Sequence, residues 1–309
     1  MADFPQVHLD KLVKTLESGK LPTCDRPNIN EAIRRYNEWI SALDNVSEET
    51  VLGTIGRMVE LLNQYKLFID INLIFDSQDD FLYRQKGQLK IDNTVIEEFL
   101  PRLVKKCINL KYGQTDLIIG SQTATFSSVY FNSSLNRPNI GGGISIKKKD
   151  QDFSISRKLF LKSSYSANFE NNASVVAETN IGYVVAECKT NLDKTMFQEA
   201  SATAHDVKTA VTGAKYFLLC EWLDMTPIST ATTDIDEIII VRKAKRLSSN
   251  IRSEFSNRQG RQARRAMYLE YLQAHPYSTD MFKRFVEHIF ALLDDEDLIE
   301  EDILQLGYF

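Results

Sequence analysis

The run Tyr183-Val184-Val185-Ala186, closed by Glu187-Cys188-Lys189, limits what this chain can fold into more than any other segment. Its apolar, partly β-branched residues suit a strand, and Thr190-Asn191-Leu192-Asp193-Lys194 turns at once towards a helix start. Residues two apart in a strand point to the same face, so Glu187 and Lys189 project together. A strand this apolar belongs in a buried sheet, where a charged pair at its end is less easily explained as solvated surface. A carboxylate so placed can hold a divalent cation through oxygen. A lysine beside it can orient a water or offset charge on a phosphate.

The rest of the chain is ordinary enough to carry such a sheet. Its 309 residues, 43% hydrophobic and 26% charged, suffice for one large domain or two modest ones. No apolar run approaches the roughly 18 residues of a membrane span, and Met1-Ala2-Asp3-Phe4-Pro5 lacks a signal-peptide pattern. Cys24, Cys107, Cys188 and Cys220 are scattered without a C-x-x-C pair, which fits a reducing cytoplasm. The net charge of −5 argues against nucleic acid until its distribution is considered. Nine basic residues lie between Arg242 and Arg265 against the single acid Glu254, and seven acids crowd Asp294 to Asp302. Two solvated helix faces explain this as well as a DNA-facing surface with an acidic back.

Helical spacing marks the N-terminal third: Asn28 to Leu43, then a segment towards Phe68 with Ser47 as its expected N-cap. Asp92 leads into a further helix through Lys106, with Pro101 expected to kink or break it. Asp116-Leu117-Ile118-Ile119-Gly120 reads as a short strand. Residues 121–170, rich in Ser, Asn, Gly and Lys, read as irregular strands and loops, with Gly141-Gly142-Gly143 as a flexible loop. A hairpin is expected next, from Ala173 to Glu178, turning at Thr179-Asn180-Ile181-Gly182 into the strand that ends in Glu187-Cys188-Lys189. A helix from Lys194 to Val211, strands at Lys215–Cys220 and Glu237–Val241, and helices near Asn257–Gln273 and Thr279–Leu293 complete the chain.

A metal site needs a second acid, and the expected hairpin does not supply one in register. It places Ser174 opposite Glu187 and Asn172 opposite Lys189. Glu170 and Glu178 lie about four residues, or about 13 Å, from that register. A bulge or diverging strand ends would bring Glu170 in, so it is the preferred second acid, and Glu178 reads as a solvated hairpin charge. Glu98, on the preceding helix, is a further candidate, although an ordinary helix charge explains it equally well. Gln198 falls where it can face the site, and Lys147, Lys148 and Lys149 where they can meet phosphates.

The segment from Glu187 to Ala200 resembles the site of several type II restriction endonucleases with the PD-(D/E)XK motif, of which Glu187-Cys188-Lys189 is the E-x-K half. With Phe81 to Lys90 and Asp92 to Pro101, the chain is similar to BbvCI-like restriction subunits over about residues 80–220. The resemblance implies an α/β fold with an αβββαβ nuclease core at 91–245, its irregular insertion at 121–170, an N-terminal helical region at 1–90 and a C-terminal helical region at 246–309. It implies Mg²⁺-dependent cleavage of double-stranded DNA at a short, asymmetric, nearly palindromic site. Each subunit of a heterodimer would cut one strand, with self-association as the other arrangement. Glu187, the Cys188 backbone carbonyl and Glu170 or Glu98 would hold the metal, and Lys189 would activate the water. Arg258, Arg261, Arg264 and Arg265 would contact DNA. The rivals are a repair or junction nuclease on the same core, and a DNA-binding subunit with a degenerate site, which the unfilled register favours.

Overall fold

The computed structural model describes residues 4–294 together with 304, 305 and 307. The acidic run after Asp294 therefore lies outside the described residues. The helical periodicity of the N-terminal third becomes α1 (Val7–Glu17), α2 (Arg26–Asp44) and α3 (Val51–Leu67), which continues as a π-helical stretch over Phe68–Phe75. Thr50 rather than Ser47 caps α3, its hydroxyl accepting the Gly53 N–H at 3.0 Å. A short helix, α4 (Phe81–Leu89), precedes α5 (Thr94–Tyr112). Pro101 sits inside α5 without ending it. Its neighbours Phe99, Leu100, Leu103 and Val104 are all fully buried, so packing holds the turn that proline's missing N–H weakens.

The sheet overturns the expected hairpin. Ser174 to Leu192 form one continuous 19-residue strand, β5, with the supposed turn in its interior. Its antiparallel partner is β4 (Phe153–Ser164), within the segment read as irregular. The real reversal lies between Ser164 and Ser174. Gly182 belongs in a strand because Thr125 presses against it: a Cβ there would lie 3.1 Å from the Thr125 methyl. A bulge between Ile155 and Ser156, facing Val184 and Gly182, separates a buried half of the β4–β5 ribbon from an exposed outer half.

Around this pair the order is β1 (Ile118–Gly120), β4, β5, β6 (Lys215–Leu223) and β7 (Glu237–Ile240). β1 and β4 run antiparallel to their neighbours, and β5, β6 and β7 run parallel. The parallel strands need a crossover, which α6 (Lys194–Ala210) supplies between β5 and β6. The remainder of the insertion is a hairpin, β2 (Thr123–Phe131) and β3 (Ile144–Gln151). Gly141, Gly142 and Gly143, expected as a flexible loop, take left-handed backbone in the turn into β3, with φ of 58°, 67° and 62°. A side chain at Gly143 would meet the Asn132 carbonyl at 2.3 Å.

Strand alternation divides the core between two faces. Val184, Ala186, Cys188, Phe217 and Leu219 pack with α3, α5 and α9 (Thr279–Leu293), where Phe99, Phe282 and Phe285 are fully buried. Val185, Tyr216, Leu218 and Cys220 pack under α6 against Phe197, Ala200 and Ala204. A sheet covered on both faces reads as an apolar run, which is why β5 was legible from 183 onward. Among the described residues no helix is long and apolar enough to cross a membrane. The helices α7 (Ser249–Glu254) and α8 (Arg258–Ala274) close the chain's basic segment before α9, with Asn257 capping α8.

Candidate active site

The β4–β5 register supplies the acid that the sequence withheld. Phe153 lies opposite Ala186, so Asp152, one step before it, stands across from Glu187. Directly opposed residues share a face, and their side chains meet. The Asp152 carboxylate accepts the Cys188 N–H at 2.9 Å, which ties the start of β4 to the end of β5. Glu187 and Lys189 do project together, with the ammonium 2.6 Å from Glu187 Oε1. Tyr216, on β6, donates its hydroxyl to Glu187 Oε2 at 2.5 Å. Between the two charges, Cys188 turns its thiol into the core and leaves its carbonyl at the site, where Asn93 Nδ2 donates to it at 3.1 Å.

Asn93 also links the helical acid to the cluster, donating to Glu97 at 2.7 Å. The helix-borne carboxylate that faces this site is therefore Glu97, one residue from the expected Glu98. One step along a helix turns a side chain by about 100°. Glu98 accordingly points the other way, fully buried, accepting from Tyr36 Oη and from the His8 N–H at 2.8 Å. Arg102 stands 3.2 Å from it, so Glu98 ties α5 to the N-terminal helices.

The cluster opens into a cleft of about 530 Å³. One wall is α4 and the turn after it, with Arg84, Lys86 and Lys90; the other carries Lys149, with Arg246 at the end. Together with Lys189 these six cations outnumber the four acids Asp92, Asp150, Asp152 and Glu187. A chain of net charge −5 thus concentrates positive charge in this one depression.

Burial raises the Glu97 carboxyl to about 7, helped by repulsion from Asp152. Asp152 is also pushed up by burial and by Glu187, although the Cys188 N–H holds it back. Burial works against the Lys189 ammonium, but its bond to Glu187 and that carboxylate's charge outweigh it and raise its pKa. A carboxyl whose folded pKa lies above its unfolded value binds an extra proton in the native state, so stability falls as pH climbs between the two. For Glu97 that window runs from about 4.5 to about 7. Thermal melts of Glu97→Gln should show less stability lost across this window than in the unsubstituted chain. Equal losses would remove Glu97 from the cluster.

Other expected residues are dispersed. Glu170 sits in the outer turn before Ser174, and the 13 steps from Ser174 to Glu187 span about 43 Å of strand, so it is not part of the cluster. Glu178 is exposed on the same ribbon, paired with Lys158 at 3.0 Å. Lys149 lines the cleft and reaches Thr203 on α6 at 3.0 Å, whereas exposed Lys147 and Lys148 lie outside it on β3. Gln198 is exposed on α6, away from the cleft-lining Met196 and Thr203. Arg261 is 1% exposed and not available to DNA: it donates to the carbonyls of Phe75, Ser77 and Asp79 and pairs with Asp80. Arg264 is held by Glu254 and Arg265 by Asp76, while Arg258 opens α8 on the surface.

Asp152, Glu97 and the cations of α4 went unread. For Asp152 a signal existed: Phe153-Ser154-Ile155-Ser156 alternates as a half-buried strand does, immediately after the acid.

A family model, that of the Bpu10I restriction endonuclease, matches residues 88–309, most of the chain. No curated protein matches it. Among solved structures, a chain of the native BbvCI A2B2 tetramer is similar in fold, with a TM-score of 0.52 and 17% identity. The similarity covers 89% of this chain and 100% of that one. The match over residues 88–309 contains every member of the carboxylate cluster, and the chain belongs to the Bpu10I restriction endonuclease family, type II site-specific deoxyribonucleases.

Proposed function

We propose that this chain is one subunit of a restriction enzyme with a PD-(D/E)XK site, in which Asp152, Glu187 and the Cys188 carbonyl hold Mg²⁺. The observation that carries the reading is Asp152 standing across from Glu187 beside Lys189. The donors are all oxygens, the set a hard divalent cation selects. Burial, together with the crowding of Glu97, Asp152 and Glu187, pushes two of these carboxyls up in pKa, and a cation would relieve that cost. Asn93 Oδ1, buried there without a partner, adds an oxygen. Among the described residues no three acidic, His or Cys side chains converge in metal-holding geometry, because Glu187 is turned to Lys189 and Tyr216. The donor set fits in kind.

When bound, the metal would supply charge stabilisation to the phosphate and lower the pKa of a water. Lys189 would orient that water, its own proton kept by Glu187 in the resting site. Glu97, near neutral pKa, would accept or return a proton at the edge of the cluster. The surplus cations of the cleft would draw the DNA strand in. An unfilled register opposite Glu187 is what favours a purely DNA-binding role, and Asp152 across from Glu187 weighs against it. The similar BbvCI structure is an A2B2 tetramer, which favours a related second subunit, each cutting one strand of a nearly palindromic site.

Supercoiled plasmid digestion tests the reading, with Mg²⁺, Ca²⁺ or EDTA, and with and without a related subunit. Nicked or linear product in Mg²⁺ alone is expected, with ends that share one short asymmetric sequence. Cleavage that persists in EDTA would dismiss the metal, and cleavage that follows branch structure rather than sequence would favour a junction enzyme.

A further inference from the structure

Beside the carboxylate cleft lies a second pocket of about 330 Å³. The two share Tyr83, Arg84, Lys86, Asp92, Thr190 and Arg246, so one depression continues into the other. Its floor is a closed set of charges: Lys66 meets Asp70 at 2.6 Å and Glu221 at 3.0 Å, and Arg242 meets both acids at 3.2 Å. Asp70 lies in the π-helical stretch, a wide-turn geometry that occurs mostly at functional sites.

The cations of the rim are less satisfied. Arg246 is paired with Asp224 at 2.9 Å, and Arg252 approaches the same carboxylate at 3.6 Å. Arg84 gives its Nε–H to the Ser256 carbonyl at 3.2 Å and pairs loosely with Asp80 at 3.5 Å. Lys86 makes no ion pair among the described residues; its ammonium rests 4.8 Å from the centre of the Tyr83 ring. It is half-buried, and although the Asp92 and Asp70 carboxylates act on it from a distance, none meets it directly, which leaves room for an anion against it. Burial lowers its pKa, and the charges of Asp92 and Asp70 offset that only in part.

We propose that this second pocket takes a backbone phosphate next to the scissile one on the cleaved strand, with Lys86 as its main contact and Arg84 and Arg252 beside it. The inference rests on the nuclease reading, which puts the scissile phosphate at Asp152 and Glu187. A phosphodiester is the anion that a strand lying in the first cleft would deliver to its neighbour. The rim matches it with an ammonium and guanidinium groups, the donors that phosphate oxygens select.

The test is the salt dependence of binding to a generic duplex in Ca²⁺, measured for the full chain, Lys86→Met and Lys86→Arg. Each phosphate contact contributes about 0.9 to the slope of log affinity against log salt. Lys86→Met should lower the slope by about one and weaken binding about tenfold at 0.1 M salt. Lys86→Arg should restore both, which a merely structural role for Lys86 would not predict. An unchanged slope in a folded Lys86→Met chain overturns the proposal, as does a reduced slope that arginine fails to rescue. Plasmid cleavage by the unsubstituted chain, alone and with a related subunit, is scored separately. If cleavage holds and the slope does not move, this inference fails while the nuclease reading stands. If no cleavage occurs, the nuclease reading fails whatever the slope does.

Discussion

Asp152→Asn is expected to lower DNA cleavage by about a thousandfold while leaving the protein folded and able to bind DNA. The asparagine carbonyl can still accept the Cys188 N–H that the carboxylate accepts at 2.9 Å, so the junction of β4 and β5 keeps its hydrogen bond. What disappears is one negative charge at the position facing Glu187. A metal held there by two carboxylates would lose half of its charge neutralisation, and the phosphate would lose the stabilisation the cation supplies. Glu170→Gln is the contrast: with Glu170 in the outer turn, its cleavage rate should equal that of the unsubstituted chain. Single-turnover rates on plasmid with saturating Mg²⁺ decide between them. Cleavage by Asp152→Asn within tenfold of normal would remove Asp152 from the site, and a large loss in Glu170→Gln would restore the alternative.

The second large effect concerns stability. Glu221 is 1% exposed and stands between Lys66 and Arg242, with Asp70 completing the set. Burial disfavours its carboxylate, but Lys66 and Arg242 outweigh burial and hold its pKa below the usual value. Glu221→Ala leaves two buried cations facing one carboxylate, and a buried charge stripped of its partner costs about 3–5 kcal/mol. Replacing both partners removes that penalty, because no ion is left uncompensated. The double variant Lys66→Met, Glu221→Leu should therefore recover most of the loss in urea unfolding. A double variant as unstable as Glu221→Ala would mean that the cluster acts through packing rather than charge.

How far the site could be read in the sequence follows from which signals were local. Glu187 and Lys189 were legible because strand periodicity alone puts them on one face, and the apolar run before them announces a covered sheet. The helices were legible to within a few residues for the same reason, as at Thr279–Leu293. β4 was not, because its outer half is exposed and does not alternate: Arg157, Lys158 and Lys162 bracket the consecutive run Leu159-Phe160-Leu161. Gly182 reinforced the error: a glycine beside Asn180 suggests a turn, and only the approach of Thr125 explains it inside a strand. The basic C-terminal segment misled in the opposite direction. Its arginines looked available for DNA, whereas Arg261 braces the segment after the π-helical stretch, and Arg264 and Arg265 meet carboxylates.

The sequence by itself therefore determined the strand, the pair of charges on its face and the class of chemistry they suit. Those properties depend on spacing within one element, which a periodicity of two or of 3.6 residues reports directly. Which acid completes the pair was decided by tertiary structure alone. Asp152 comes opposite Glu187 through the register of another strand, and Glu97 joins the end of β5 by way of Asn93 through the rotation of a helix, and each is a long-range relation. A one-residue change in register or rotation selects a different carboxylate, and residue spacing along the chain carries no record of that choice.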